Sequence, residues 1–155
     1  MTVSTESRAE SRAEIEVRSV LDEYAAAHAA RDAEAILAPF APGAVRYSLA
    51  PPLRQAPGTL VGDVEGLRKW IAGFAGPVRI ERRDLTVEVD GTVAFAHALS
   101  RMTATLVGEH EPFSFWYRST FGLRRVGGQW RLVHMHDSTP FHMDGSFRAA
   151  VDLQP

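Results

Sequence analysis

The segment that most restricts the fold is residues 113–140, FSFWYRSTFGLRRVGGQWRLVHMHDSTP, in which two runs rich in Phe, Trp, Tyr, Val and Thr flank Gly127-Gly128. Such side chains suit a pleated, half-buried surface, and a glycine pair suits a tight hairpin turn, so the segment predicts two long antiparallel strands. Arg118, His134, His136 and Asp137 then belong to sheet, not to loops. With a two-residue turn, Val126 pairs with Gln129, Leu123 with Leu132, Phe121 with His134 and Arg118 with Asp137. A four-residue loop gives the same pairing, whereas a three-residue loop with a glycine bulge sets Arg118 opposite His136. In the first register one face carries Trp116, Arg118, Thr120, Val133, Met135 and Asp137, and is expected to wall a pocket. The other carries Tyr117, Phe121, Leu123, Trp130, Leu132, His134 and His136, and suits packing.

Size and charge narrow the remaining choices. The 155 residues suit one globular domain, with a frayed lead-in over residues 1–10 and a C-terminal tail over 141–155. A formal charge of −2, with Lys and Arg scattered, gives no general attraction to nucleic acid. The absence of cysteine excludes thiolate nucleophiles and disulfides. The N-terminal TVSTESRAESRAEIEV lacks a signal-peptide apolar core, and no run approaches the roughly 20 apolar residues of a membrane span, so a soluble cytoplasmic protein is expected.

Along the chain, Val17, Val20, Leu21, Tyr24 and His28 recur at spacings of three and four, which predicts a helix from about Glu10 to Arg31, its ESRA-ESRA start frayed. Asp32 can cap a second helix through Leu37, stopped by Pro39 and Pro42. A short strand over Val45 to Leu49 and a loop from Pro51 to Gly62 follow, then a third helix capped by Asp63 with Leu67, Trp70, Ile71 and Phe74 inward. Strands over Val78 to Val89 and Thr92 to Val107 precede the terminal hairpin. Helices first and strands last predict an α+β domain, about three helices covering a curved, mostly antiparallel sheet.

This order resembles the nuclear transport factor 2-like superfamily, and within it the ketosteroid isomerase and SnoaL-like group. The residues that carry the likeness are Tyr24-Ala-Ala-Ala-His28-Ala-Ala-Arg-Asp32, Ala38-Pro-Phe40-Ala-Pro-Gly-Ala-Val45, the Gly62 to Trp70 helix start, and Leu123-Arg-Arg-Val-Gly-Gly-Gln-Trp130-Arg-Leu-Val-His134. The resemblance implies a cone-shaped fold, a homodimer and a mostly apolar cavity. It puts Tyr24 where ketosteroid isomerase has its oxyanion-hole tyrosine, Thr120 in place of the assisting protonated aspartic acid, and Ser48 in place of the aspartate base. A serine cannot carry a proton between carbons, so steroid isomerisation by the family mechanism is not expected.

What the resemblance implies instead is a small-molecule site, cofactor-free if catalytic, working by proton transfer on a carbonyl- or hydroxyl-bearing compound. Asp137 or His136 would move the proton, Arg118 would hold it or the substrate, and Tyr24 would donate to the oxyanion. Trp116, Thr120, Met135, Ser48, His28 and Phe74 are expected around the ligand. The competing reading is a non-catalytic binding or interaction module in which Arg118 and Asp137 neutralise each other and fix strand register. His134-x-His136 copies only half of a cupin metal motif, with Pro140 and Phe141 where a glutamate would be needed, so no metal is expected.

Overall fold

The computed structural model describes residues 10–55 and 63–155, and each helix start in it shows its sequence signal at work. The first ESRA tetrad, the last residues of the predicted loop and the Gly62 helix start lie outside the described residues. Helix α1, Arg12–Ala30, opens with a capping box: the Glu14 amide donates to Ser11 Oγ at 3.2 Å and the Ser11 amide donates to Glu14 Oε2 at 2.6 Å. It closes at Arg31 in the left-handed region, φ 58°. Helix α2, Ala33–Leu37, is capped by Asp32, and α3, Val64–Ala72, by Asp63; each carboxylate accepts from the amide three residues on, at 3.0 and 2.9 Å. Among the described residues no helix is long and apolar enough to cross a membrane.

Five strands follow: β1 Phe40–Tyr47, β2 Arg79–Asp90, β3 Val93–Ala104, β4 Phe113–Val126 and β5 Gln129–Ser138. They form one sheet in the order β1-β5-β4-β3-β2, antiparallel except that β1 runs parallel to β5. The three helices pack on this sheet, making an α+β domain. Val17, Leu21 and Tyr24 of α1 and Ile36 of α2 meet Ala94, Ala96, Phe121, Leu123 and Leu132 from the strands. Strand β1 starts five residues before the expected Val45 and ends before Leu49. Pro42 and Gly43 are accommodated because β1 is an edge strand, where a missing N–H costs no ladder bond, and its register to β5 jumps between Phe40 and Val45.

The hairpin turn is as expected: Gly127 and Gly128 take φ 59° and 82°, and Val126 pairs with Gln129 and Leu123 with Leu132. The ribbon then departs from simple pairing. Gly122 pairs with His134, leaving Val133 as an extra residue, and every later partner moves by one: Phe121 with Met135, Thr120 with His136, Ser119 with Asp137, Arg118 with Ser138. Gly122 stands across from this bulge, where a Cβ would reach van der Waals contact, 3.4 Å, with that of His134. Because strand side chains alternate, the bulge lets Leu132 and Met135 both face inward and brings Asp137 onto the same face as Tyr117, Ser119 and Phe121.

That shift overturns the expected pairing of Arg118 with Asp137. Arg118 is exposed on the outer face, and His136, Thr120 and Trp116 share that face. The tail also runs there, with Trp116 Nε1 donating to Gln154 Oε1 at 3.1 Å and Arg83 to the Pro155 carbonyl at 3.3 Å. Leu132, fully buried beside the bulge, fills the inner layer at this point. Leu132→Ala is expected to lower unfolding free energy by about 2–5 kcal/mol, measured by urea denaturation.

Candidate functional site

A cavity of about 690 Å³ lies between the helices and the inner face of the sheet. Its wall is largely apolar, from Leu37, Leu67, Trp70, Ile80, Met102, Phe115 and Met135, as expected of a small-molecule pocket. Tyr24 and His28 enter from α1, Arg46 from β1, Tyr117 from β4 and Asp137 from β5, and Ser48 and Gln55 from the segment after β1. Asp63, the exposed cap of α3, also belongs to the lining.

Asp137 is 5% exposed. Its Oδ1 accepts from Ser119 Oγ at 2.8 Å, and Ser119 Oγ lies 2.8 Å from Ser100 Oγ on β3. With the Ser119 hydroxyl committed to the carboxylate, Ser100 is the donor in the second bond. Arg46 Nη2 stands 3.7 Å from Asp137 Oδ2, an ion pair longer than a hydrogen bond. Burial raises the Asp137 carboxyl above its ordinary pKa, against the opposing pull of Arg46, Ser119 and Arg82. The proton therefore leaves this acid less readily than usual, and the carboxylate, once formed, is the stronger base.

Both phenols are held neutral. Burial raises Tyr24, with Asp137 adding to the effect and Arg46 opposing it, and raises Tyr117 in the same way. Among the described residues neither hydroxyl has a hydrogen-bond partner, and both residues line the cavity. His28 Nδ1 lies 2.8 Å from the Tyr24 carbonyl, which can only accept, so Nδ1 carries the hydrogen and Nε2 keeps a lone pair. Burial, with Arg46 and Arg82 assisting, lowers His28 to about 4 despite that bond. The His28 ring stands edge-on to Tyr24 at 4.5 Å between centroids, with Trp70 at 6.2 Å on its other side.

Of the residues expected at the site, Tyr24, His28, Ser48, Met135 and Asp137 line this cavity. Ser48 Oγ donates to the Ala50 carbonyl at 3.0 Å and so shapes its own turn. Arg118, Trp116 and Thr120 do not reach the cavity because they alternate along β4 with the buried Tyr117, Ser119 and Phe121, and His136 does not because the Val133 bulge turns it to the far side of the sheet. Trp116 instead stacks under the Arg101 guanidinium at 5.3 Å, and His136 sits 5.5 Å from the Tyr47 ring. Phe74 lies one layer behind the wall, 4.8 Å from the Trp70 ring in a separate cluster with Val78 and Ala104. His134 Nδ1 is engaged with the Val45 carbonyl at 3.1 Å. No group of three or more His, Asp or Glu placed to hold a metal occurs among the described residues.

Sequence reasoning passed over Arg46, Ser119 and Ser100, and set Tyr117, which lines the cavity, on the packing face. Two of them carried a signal: an arginine inside the apolar run around Val45, and a serine in a strand of aromatics. Arg82 was also passed over. It is 7% exposed, lies behind the cavity wall with its guanidinium 5.5 Å from the Phe121 ring, and has Asp22 at 3.9 Å.

This architecture, with a polar floor under an apolar cavity, defines a class of small α+β pocket proteins. The chain belongs to the SnoaL-like domain family, whose model matches residues 17–142. An NTF2-like protein of unknown function from Pseudomonas putida KT2440 is similar in structure at 30% identity, with 96% of this chain and 100% of that one covered and a TM-score of 0.80. A protein provisionally named scytalone dehydratase from Novosphingobium aromaticivorans matches at 16% identity over 88% and 89%, TM-score 0.71. A ketosteroid isomerase-like protein from Erwinia carotovora matches at 16% identity over 83% and 97%, TM-score 0.67. At these last identities the likeness is one of fold. No curated protein matches the chain.

Two measurements follow from the geometry. The lowered pKa of His28 means that the unfolded chain binds this proton first as pH falls, so its contribution to stability is full above about 6.5 and is lost toward about 4. Wild type is expected to lose up to roughly 3 kcal/mol through this group over that interval, and a His28→Phe variant to lack that component; the His28 ring resonance should titrate near 4. Ser119→Ala leaves a buried carboxyl oxygen without its donor and is expected to cost about 1–3 kcal/mol, read by thermal or urea denaturation.

Proposed function

We propose that the cavity is a cofactor-free acid–base site that moves a proton on a carbonyl- or hydroxyl-bearing organic compound. The observation that carries this reading is the meeting of a buried, basic carboxylate with two neutral phenols on the floor of an apolar cavity. Asp137 removes a proton from the carbon beside the carbonyl, and the Tyr24 and Tyr117 hydroxyls donate to the oxygen as negative charge develops there. Returning the proton to a different atom gives an isomer. Expelling a hydroxyl one carbon further on, as water, gives a dehydration product, the proton on Asp137 serving the leaving oxygen. Neighbours of this fold carry the names ketosteroid isomerase-like and, provisionally, scytalone dehydratase.

Each group has a part that its surroundings suit. The Ser100–Ser119 relay fixes the Asp137 carboxyl, so little reorganisation is needed when the proton moves. Arg46 takes the positioning part expected of Arg118. The His28 Nε2 lone pair is an acceptor for a substrate hydroxyl. Trp70, Leu67, Phe115 and Met102 exclude water from the reacting atoms and strengthen each polar contact.

The test needs no known substrate. A panel of cyclic ketones and β-hydroxy ketones is incubated with the protein in D2O, and loss of the signals of protons beside the carbonyl is followed by NMR. Catalysed exchange is expected, with Asp137→Asn and Tyr24→Phe each lowering the rate by roughly 10²–10⁴-fold while the melting temperature stays within a few degrees. The rate should fall as pH drops through an apparent pKa above the ordinary carboxylate range, since the base acts deprotonated and burial raises it. No exchange across the panel, together with an unaltered co-purifying ligand, would favour a passive binding protein.

A further inference from the structure

Among the described residues the buried charges around the cavity do not balance, the lining carboxylate of Asp63 being exposed. Arg46 has five N–H donors, yet among the described residues its one ionic contact is Asp137 at 3.7 Å, and its Nε is buried without a hydrogen-bond partner. Arg82, behind the wall, is likewise buried with Nε unpartnered, and the carboxylate near it, Asp22, is 77% exposed at 3.9 Å. Both guanidinium groups act on Tyr24, Tyr117 and His28, which are neutral, and on Asp137. Two cations therefore face one buried carboxyl group that burial inclines toward its neutral form. Removing charged groups from water is costly unless partners compensate, and a buried guanidinium with free N–H groups is a strong donor set for an anion.

We propose that the ligand of this cavity is an organic carboxylate, its carboxyl group seated on the Arg46 guanidinium and its apolar body held between Trp70, Leu67, Phe115 and Met102. This rests on the acid–base reading only for what happens to the ligand afterwards; the binding itself stands on charge and shape. A guanidinium presents its N–H groups as a planar fork that matches a carboxylate two bonds at a time, and it does so best where water is excluded. The rest of the wall is apolar, which favours a hydrocarbon frame over a free inorganic anion. The Gln55 amide, whose Oε1 is also buried without a partner, gives the ligand a further polar contact from the segment after β1.

Matched pairs test this: benzoate, cyclohexanecarboxylate and naphthoate against their carboxamides, which keep the shape and lose the charge. Binding is followed by calorimetry and by fluorescence of Trp70, with wild type, Arg46→Met and Arg46→Lys. At least one acid is expected to bind wild type about tenfold or more tightly than its amide. Arg46→Met should erase that preference, and Arg46→Lys should keep part of it. Equal affinity of acid and amide for wild type would overturn the proposal whether or not the variants fold. A preference that survives in folded Arg46→Met, or inorganic phosphate displacing the acid at equal concentration, would overturn it too. A carboxylate preference without proton exchange removes the catalytic reading and leaves this one; exchange of neutral ketones with no such preference does the reverse.

Discussion

A strand places successive side chains on opposite faces, so one inserted residue reverses the facing of everything beyond it. Val133 is such a residue, and the composition of the cavity depends on it. With it, Asp137 turns inward to meet Ser119 and Arg46, while His136 turns to the outer face beside Thr120. Without it, Arg118 and Asp137 would share a face and the Ser119 hydroxyl would have no carboxylate. Gly122 lies across the ribbon from the insertion and pairs with His134.

The elements position these groups by simple means. Tyr24 and His28 sit one turn apart on α1, so one helix face delivers both, and the bond from His28 back to the Tyr24 carbonyl fixes the ring. Arg46 arrives from an edge strand that runs parallel to β5, which sets it beside Met135 and near Asp137. Burial then does most of the electrostatic tuning: it weakens the acidity of Tyr24, Tyr117 and Asp137 and strips the basicity of His28. Phenols that stay protonated and an imidazole that stays neutral present hydrogen-bond chemistry rather than charge.

Much of this could be read from the chain. Capping residues Asp32 and Asp63 marked two helix starts, the spacing of Val17, Leu21, Tyr24 and His28 marked the buried face of α1, and the glycine pair marked the hairpin turn. The register beyond Leu123 could not be read by counting, because the count presumes an unbroken ladder. An isolated glycine inside a strand pattern is the one local sign of a bulge, and Gly122 supplies it. The partner of Asp137 was unreadable for a different reason. Arg46 lies some ninety residues away in sequence, and no local pattern states which strand becomes the neighbour of β5.

Among the described residues the chain of hydroxyls behind Asp137 stops at Ser100, which is 1% exposed and deep in the sheet. It is a blind alley for protons: it steadies the carboxylate but leads nowhere. A hydrogen on Asp137 therefore reaches it and leaves it on the cavity side.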